Sequence, residues 1–246
     1  ALAHQAGEQV RLDYLRDGAS RSAIARPVTA GRDATLRYSD WVTGRREAVE
    51  AASSGRIGYM HIRAMGAGDI ADFGLAQEFM WVYERMERLN MPWFAVVGNH
   101  DLQANGALIF QQLFGPLEFS FTYKGYKFLF HDTNGREYAN NGTVPRLGWL
   151  AEQMADTVPD HFIAVSHVPP FNGDFDPALV QPHGQQLGSD PRTILSLHGH
   201  NGSHADLHWY GDHVRYMVCN AMVNPEFVVL RIHNGEASKQ VLNYLD

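Results

Sequence analysis

The sequence has a single cysteine, Cys219, among its 246 residues. An intramolecular disulfide framework is therefore excluded, which fits the cytoplasm or a bacterial periplasm. Long apolar runs are absent too. None reaches the roughly 18 residues that a membrane-spanning helix needs, so no transmembrane segment is expected.

Positive charge is also scarce. The chain has 20 Lys and Arg residues against 27 Asp and Glu residues, a formal net charge of −7. Proteins whose main partner is a nucleic-acid duplex are usually basic, so no duplex partner is expected. An acidic chain can still act on phosphate esters when metal ions supply the positive charge at the site.

Hydrophobic residues are plentiful, at 45% of the chain, and charged residues make up 19%. This composition predicts a folded protein with a sizeable core. Residues 1–34 have weak periodicity, which predicts an N-terminal arm or helix. Residues 35–246 alternate between short apolar runs and helical stretches, which predicts one α/β domain with βαβ-type layering.

The apolar runs predict several strands and helices. Strands are predicted at 35–38, 59–65, 93–97, 127–130, 162–165 and 194–197. Helices are predicted at 45–52, along the apolar face Leu75, Phe79, Val82, Met86 and Leu89, and around Leu147, Leu150 and Met154. The tail predicts strands of a second sheet at 215–219, 227–232 and 240–244.

Many of the predicted strands end in a residue that can bind a metal ion. These residues are Asp40, Asp69, Asn99, His167 and His200. In open α/β sheets the ligand site lies beyond the carboxyl ends of the strands, so side chains far apart in sequence can converge there. Divalent cations that activate water for phosphoryl chemistry prefer oxygen and imidazole ligands. The pattern therefore predicts a metal site.

Four short blocks carry a family resemblance. In chain order they are Gly68-Asp69-Ile70-Ala71-Asp72, Gly98-Asn99-His100-Asp101, Ser166-His167 and Gly199-His200. Together, and in this order, they resemble the motifs of the calcineurin-like metallophosphoesterases. The resemblance extends from about Thr35 to the C-terminus.

The resemblance implies an α/β fold, a four-layer α-β-β-α sandwich of two mixed sheets flanked by helices, with a site for two metal ions. It implies that Asp40 binds the first metal and that Asp69 bridges both. The second metal would be completed by Asn99, His167 and His200. The ions expected are manganese, iron or zinc.

The same resemblance implies a catalytic role for His100 and Asp101. His100 would contact the phosphate or protonate the leaving oxygen, with Asp101 or another carboxylate nearby to orient the ring. A metal-bound hydroxide would attack phosphorus in line.

Two positions depart from the family pattern. Val42 stands where the first block has a histidine, and Gly202 stands where the last block has its second histidine. In the family both histidines serve the first metal, so one tight metal site is expected, with a second weak or absent. His204, two residues further on, could replace the missing donor only if the turn is distorted.

Two functions therefore stay open. The preferred one is hydrolysis of a small phosphate ester or nucleotide, with a phosphodiester favoured over a phosphomonoester. The alternative is a catalytically impaired member of the fold that acts as a binding or scaffold module. Several further histidines, among them His183, are expected at the surface.

Overall fold

The computed structural model describes residues 7–28, 69–89, 92–221 and 226–243. The chain divides into two compact units, Ala1–His61 and Ile62–Asp246. The predicted domain boundary after residue 34 lies outside the described residues. The strands predicted at 35–38 and 59–65, the helix predicted at 45–52, and the predicted ligand Asp40 lie outside them as well.

The described part of the first unit is a β-hairpin. Strand β1 (Val10–Arg16) pairs antiparallel with β2 (Ala19–Ala25). Asp17 and Gly18 join them, with φ angles of 53° and 76°. Asp-Gly is the preferred pair for such a tight two-residue turn. The segment predicted as an arm or helix therefore contains a β-hairpin, and the Asp17-Gly18 pair is the sequence feature that indicates it.

The second unit contains four described helices and eight strands. The helices are α1 (Ala76–Met86), α2 (Gly106–Phe114), α3 (Leu147–Met154) and α4 (Val180–Gly188). The strands are β3 (Phe119–Tyr123), β4 (Tyr126–Phe130), β5 (His161–Val165), β6 (Thr193–His198), β7 (Ala205–Leu207), β8 (Arg215–Val218), β9 (Glu226–His233) and β10 (Glu236–Asn243). None of the helices in the described ranges is long and apolar enough to cross a lipid bilayer.

Six strands form one mixed sheet in the order β3-β4-β5-β6-β8-β7. Strands β4, β5, β6 and β8 are parallel, and β3 and β7 are antiparallel to their neighbours. The central strands read as continuous apolar runs because both of their faces are buried. Ile163, for example, lies on one face of β5, and Phe162 and Ala164 lie on the other.

Helices cover one face of this sheet. Leu150 and Met154 of α3 and Leu187 of α4 belong to the same buried cluster as Phe162 and Tyr216. On the opposite face, the two-stranded sheet of β9 and β10 packs against the sheet through the side chains Val228, Leu230, Ile232 and Ala237. The predicted α/β class, with a second sheet packed on the first, is confirmed.

Two strand predictions are wrong in detail. The segment 215–219 was expected in the second sheet, but β8 pairs in parallel with β6, Leu195 opposite Arg215. An apolar run predicts a strand but does not identify its neighbour. Residues 93–97 form no strand in the described part of the chain. Val97 of this segment is instead buried with Phe79 of α1 and Phe110 of α2.

Candidate metal centre

Four of the predicted ligands converge beyond the carboxyl ends of β5 and β6. His167 Nε2 lies 3.2 Å from the Asn99 amide oxygen and 3.3 Å from Asp69 Oδ1. His200 Nδ1 lies 3.0 Å from the same Asn99 oxygen and 3.1 Å from His167 Nε2. The predicted convergence of these four residues is therefore present in the structure.

These separations suit the donors of one cation. Metal–ligand bonds of about 2.1 Å place neighbouring donors about 3.0 Å apart in an octahedron and about 3.4 Å apart in a tetrahedron. Asp69 Oδ2 is buried and has no hydrogen-bond partner among the described residues. Among the described residues, no group of three or more His, Cys, Asp or Glu side chains could hold a metal ion by itself. The amide oxygen of Asn99 belongs to the candidate donor set because it lies 3.2 Å from His167 Nε2 and 3.0 Å from His200 Nδ1.

Burial controls the charge of two of these donors. It lowers the pKa of His167 to about 3, helped by the neighbouring His200 and His100. His167 is therefore neutral at physiological pH, which is the form that binds metals. Burial also raises the pKa of Asp69. The His100 backbone N–H and the imidazole rings of His100 and His200 act in the opposite direction and lower it. A divalent cation would favour the ionised carboxylate here.

Glycine is required at one of the two described positions that precede a ligand. A Cβ atom on Gly98 would lie 2.0 Å from Asp69 Oδ1, so no other residue fits without moving that carboxylate. A Cβ on Gly199 would lie 3.5 Å from the His167 ring, an ordinary contact. His200 itself has a φ of 68°, a left-handed conformation that is uncommon for a residue with a side chain.

His100 stands beside Asp69, and its ring is held at one nitrogen. Its backbone N–H donates to Asp69 Oδ1 over 3.1 Å. Its Nδ1–H donates to the backbone carbonyl of Asp72 over 2.8 Å. This bond leaves Nε2 as the nitrogen that can exchange a proton with a substrate.

Asp101 does not have the orienting role that was expected of it. Its buried carboxylate accepts hydrogen bonds from the backbone N–H groups of Ala71, at 2.6 Å, and Gly98, at 2.8 Å. It therefore ties together the two loops that carry Asp69 and Asn99, while a backbone carbonyl orients His100. Burial raises the pKa of Asp101 to about 8.

A carboxylate that the sequence did not reveal contacts His200. Asp174 Oδ2 lies 3.1 Å from His200 Nε2, on the ring edge opposite the other donors. Asp174 lies in a loop between β5 and α4, with no pattern that links it to the Gly199-His200 block. Only the folded structure shows this contact.

His204 has partners of its own. Its Nε2 lies 3.2 Å from Glu226 Oε1, and its Nδ1 lies 3.4 Å from the carbonyl oxygen of Val218. Gly202 has a φ of 64°, and a Cβ atom there would meet none of the described residues within 4 Å. The side-chain position at residue 202 is thus open.

A second group of histidines is buried in the core. His131 Nε2 and His183 Nε2 are 3.1 Å apart, and His198 contacts the hydroxyls of Ser166 and Ser196 at 3.0 and 2.9 Å. Burial lowers the pKa of His131 to about 4 and that of His198 to about 3. The expectation that His183 is at the surface is wrong, because it lies on the inner face of α4.

The sequence model of the calcineurin-like phosphoesterase family matches residues 65–220, more than half of the chain. The chain belongs to this family. It is 29% identical over 158 residues to a cAMP/cGMP dual specificity phosphodiesterase of Mycobacterium tuberculosis, covering 56% of this chain and 48% of that protein. It is also 41% identical over 76 residues to a tricorn protease homologue of Streptomyces coelicolor, covering 29% of this chain and 6% of that protein.

The chain thus spans about half of one curated relative and a small part of the other. Among solved structures, PhoD is similar with a TM-score of 0.41 and 10% identity, over 55% of this chain and 41% of PhoD. A Thermotoga maritima protein solved by NMR is similar with a TM-score of 0.37 and 11% identity, over 67% of this chain and 73% of that protein.

Proposed function

We propose that this protein hydrolyses a phosphate ester with metal-activated water, and that it prefers a diester to a monoester. The observation that carries the proposal is the convergence of Asp69, Asn99, His167 and His200 with donor separations of 3.0–3.3 Å. Membership of the phosphoesterase family supports it.

A bound divalent cation would polarise the phosphoryl oxygen and lower the pKa of water. Two imidazoles, a carboxylate and an amide oxygen suit manganese, iron or zinc. As the imidazolium, His100 would deliver its Nε2 proton to the leaving oxygen, while its Nδ1–H stays hydrogen-bonded to the Asp72 carbonyl. Asp101 contributes by holding the two ligand loops in register.

The preference for diesters follows the relative whose name is cAMP/cGMP dual specificity phosphodiesterase. Cyclic nucleotides are accordingly the first natural substrates to test. The assay compares metal-dependent turnover of bis-p-nitrophenyl phosphate, p-nitrophenyl phosphate and cyclic AMP. We expect the two diesters to be hydrolysed faster than the monoester. Absence of metal-dependent turnover with all three would contradict hydrolysis.

One observation favours the alternative of a binding module without turnover. No donor side chain is present at Gly202, where the family has its second histidine, and His204 contacts Glu226 instead. Such a protein would bind the metal and a nucleotide but release it unchanged. Equilibrium binding of cyclic AMP without product formation over many hours would support this alternative over the enzyme.

A further inference from the structure

The two ring nitrogens of His200 face different partners. Nδ1 points to the Asn99 oxygen and to His167 Nε2, at 3.0 and 3.1 Å. Nε2 lies 3.1 Å from Asp174 Oδ2, within ion-pair distance. An ionised carboxylate can only accept a proton, so its negative charge beside Nε2 favours the tautomer with the His200 proton on Nε2 and the lone pair on Nδ1, which faces the metal donors.

If Asp174 is removed, the tautomer with the proton on Nδ1 still has a hydrogen-bond acceptor. His200 Nδ1–H could then donate to the Asn99 oxygen, which lies 3.0 Å away. In that tautomer neither His200 Nδ1 nor the Asn99 lone pair directed at it is free for a cation. The negative charge of Asp174 beside Nε2 therefore disfavours the Nδ1–H tautomer, which competes with metal binding.

Asp174 is itself held on several sides. Its backbone N–H donates to the Asn172 side-chain oxygen over 2.8 Å. Its carboxylate accepts from Arg136 Nη1 at 2.6 Å, and its carbonyl accepts the Arg136 backbone N–H at 3.0 Å. The carboxylate is thus fixed before any ligand binds.

The loop that contains Asp174 also supports the turn that contains His200. The Asn172 side-chain amide donates to the Asn201 side-chain oxygen over 2.7 Å. Contacts on both sides of His200 therefore connect the loop at 172–174 to the turn at 199–201. This turn needs such support because His200 has a left-handed φ of 68°.

We propose that Asp174 is a positioning residue for the metal centre, which fixes the tautomer and the direction of His200. This rests on the metal site in the proposed function and extends it to a residue outside the family's motif blocks. A carboxylate behind a metal-binding histidine typically changes metal affinity by about 10–100-fold. The role of Asp174 is to present Nδ1, and it does not contact substrate.

Metal affinity is the first test. Titration calorimetry with Mn²⁺ and with Zn²⁺ compares the intact protein with Asp174→Ala and Asp174→Asn. We expect the dissociation constant to rise about 10–100-fold in Asp174→Ala, which loses the acceptor. The rise should be smaller in Asp174→Asn, which keeps an acceptor oxygen and loses only the charge. An unchanged dissociation constant in Asp174→Ala would overturn the proposal.

A matched control separates the His200 contact from the ion pair with Arg136. Glu137 also pairs with Arg136, through Nε at 3.1 Å and Nη2 at 3.0 Å. Glu137→Gln removes one negative charge beside the same guanidinium and leaves the Asp174–His200 contact in place. Its metal affinity should stay within about two-fold of the unmodified protein. An effect as large as that of Asp174→Ala would show that charge alone is responsible.

A second measurement does not depend on catalysis or on metal loading. Nitrogen–proton correlation spectra of the metal-free protein identify which His200 nitrogen carries the proton. We expect Nε2–H in the unmodified protein and at least partial conversion to Nδ1–H in Asp174→Ala. An Nδ1–H tautomer in the unmodified protein would overturn the proposal. If the protein binds metal and hydrolyses no ester, the proposed function fails while both measurements still decide the role of Asp174.

Discussion

His100 illustrates how one residue can affect the reaction without affecting the metal. Its ring is held by the Asp72 carbonyl at 2.8 Å, and only its backbone N–H contacts the Asp69 carboxylate. Replacing the side chain therefore removes a proton donor but leaves the four metal donors untouched.

The first prediction follows from this arrangement. His100→Ala should lower turnover of a good diester substrate by roughly 10²–10⁴-fold, the usual contribution of general acid catalysis. Metal content by elemental analysis should be unchanged. His208→Ala is the control, because that ring is exposed and lies against the backbone carbonyl of Asp212, at 3.1 Å. Loss of metal from His100→Ala would make His100 a ligand, and unchanged turnover would remove it from the mechanism.

At the scale of secondary-structure elements, the geometry of the metal site depends on how closely the two ligand-bearing loops approach each other. The loop at 69–72 and the loop at 98–101 are joined by hydrogen bonds to the Asp101 carboxyl group, and Gly98 leaves no room for a Cβ atom beside the Asp69 carboxylate. The fit of these loops, and not only the identity of the donors, therefore determines the geometry of the site.

A pair of glycine substitutions tests this fit. Gly98→Ala should push the Asp69 carboxylate away, weaken metal binding strongly and lower the free energy of unfolding by about 1–3 kcal/mol. Gly199→Ala is the matched control, since its Cβ would lie 3.5 Å from His167. Urea unfolding and metal titration of both variants give the comparison. Equal behaviour of the two variants would contradict a close-contact role for Gly98.

The elements also show how far sequence reasoning extends. Strands β4, β5 and β6 were predictable because both faces are buried and the apolar runs are continuous. Strand β3 and helices α2 and α4 were not predicted, because their faces are mixed and their burial depends on partners distant in the chain. The convergence of His167 and His200 followed from strand ends, whereas Asn99 follows a segment that was predicted as a strand and forms none in the described residues. The contact between Asp174 and His200 could not be predicted, because it joins two loops that no sequence pattern links.

At the scale of the whole molecule, neutral histidines buried in the core make stability depend on pH. Burial holds the pKa of His131 at about 4 and that of His198 at about 3, and it lowers that of His183 well below its usual value. The unfolded chain takes up these protons near pH 6.5, and the folded protein does so only at lower pH. The contribution of these histidines to stability is therefore complete above about pH 6.5 and is lost as the pH drops toward 4.

This gives a prediction for unfolding in acid. In metal-free protein, each such histidine should lower the free energy of unfolding by about 1.4 kcal/mol per pH unit below pH 6. His131→Gln should make this dependence shallower by roughly one proton, and His208→Gln, at an exposed position, is the comparison variant. Urea unfolding at several pH values from 7.5 to 4.5 measures the slopes. If the free energy of unfolding changed with pH by the same slope in His131→Gln and in the unmodified protein, the buried histidine would not be the cause of the pH dependence.

The number of metal ions per chain is also a property of the whole molecule. Asp69 is the one described donor expected to serve a first metal, and Asp40 lies outside the described residues. We therefore expect one tightly bound ion per chain, with a second only at high metal concentration or with bound phosphate. Elemental analysis of protein purified without chelators gives the count. Two tightly bound ions would contradict the prediction.

A designed variant extends this prediction. Val42→His combined with Gly202→His should create a second tight site and raise hydrolysis. At residue 202 the added Cβ meets no atom of the described part of the chain within 4 Å, and the φ of 64° is close to the 68° that His200 already adopts. This left-handed φ costs about 1–2 kcal/mol, which metal binding must exceed. Either substitution alone is the control and should have a smaller effect.

The one sulfhydryl group gives the protein an internal labelling position. Cys219 is the only cysteine in 246 residues, and its backbone N–H donates to the His198 carbonyl over 2.8 Å, two residues before His200. Burial raises the pKa of its thiol, so labelling needs alkaline pH or long reaction times. A nitroxide or fluorophore attached there would sense paramagnetic Mn²⁺ through distance-dependent broadening or quenching. Metal occupancy could thus be followed in the protein without replacing any residue.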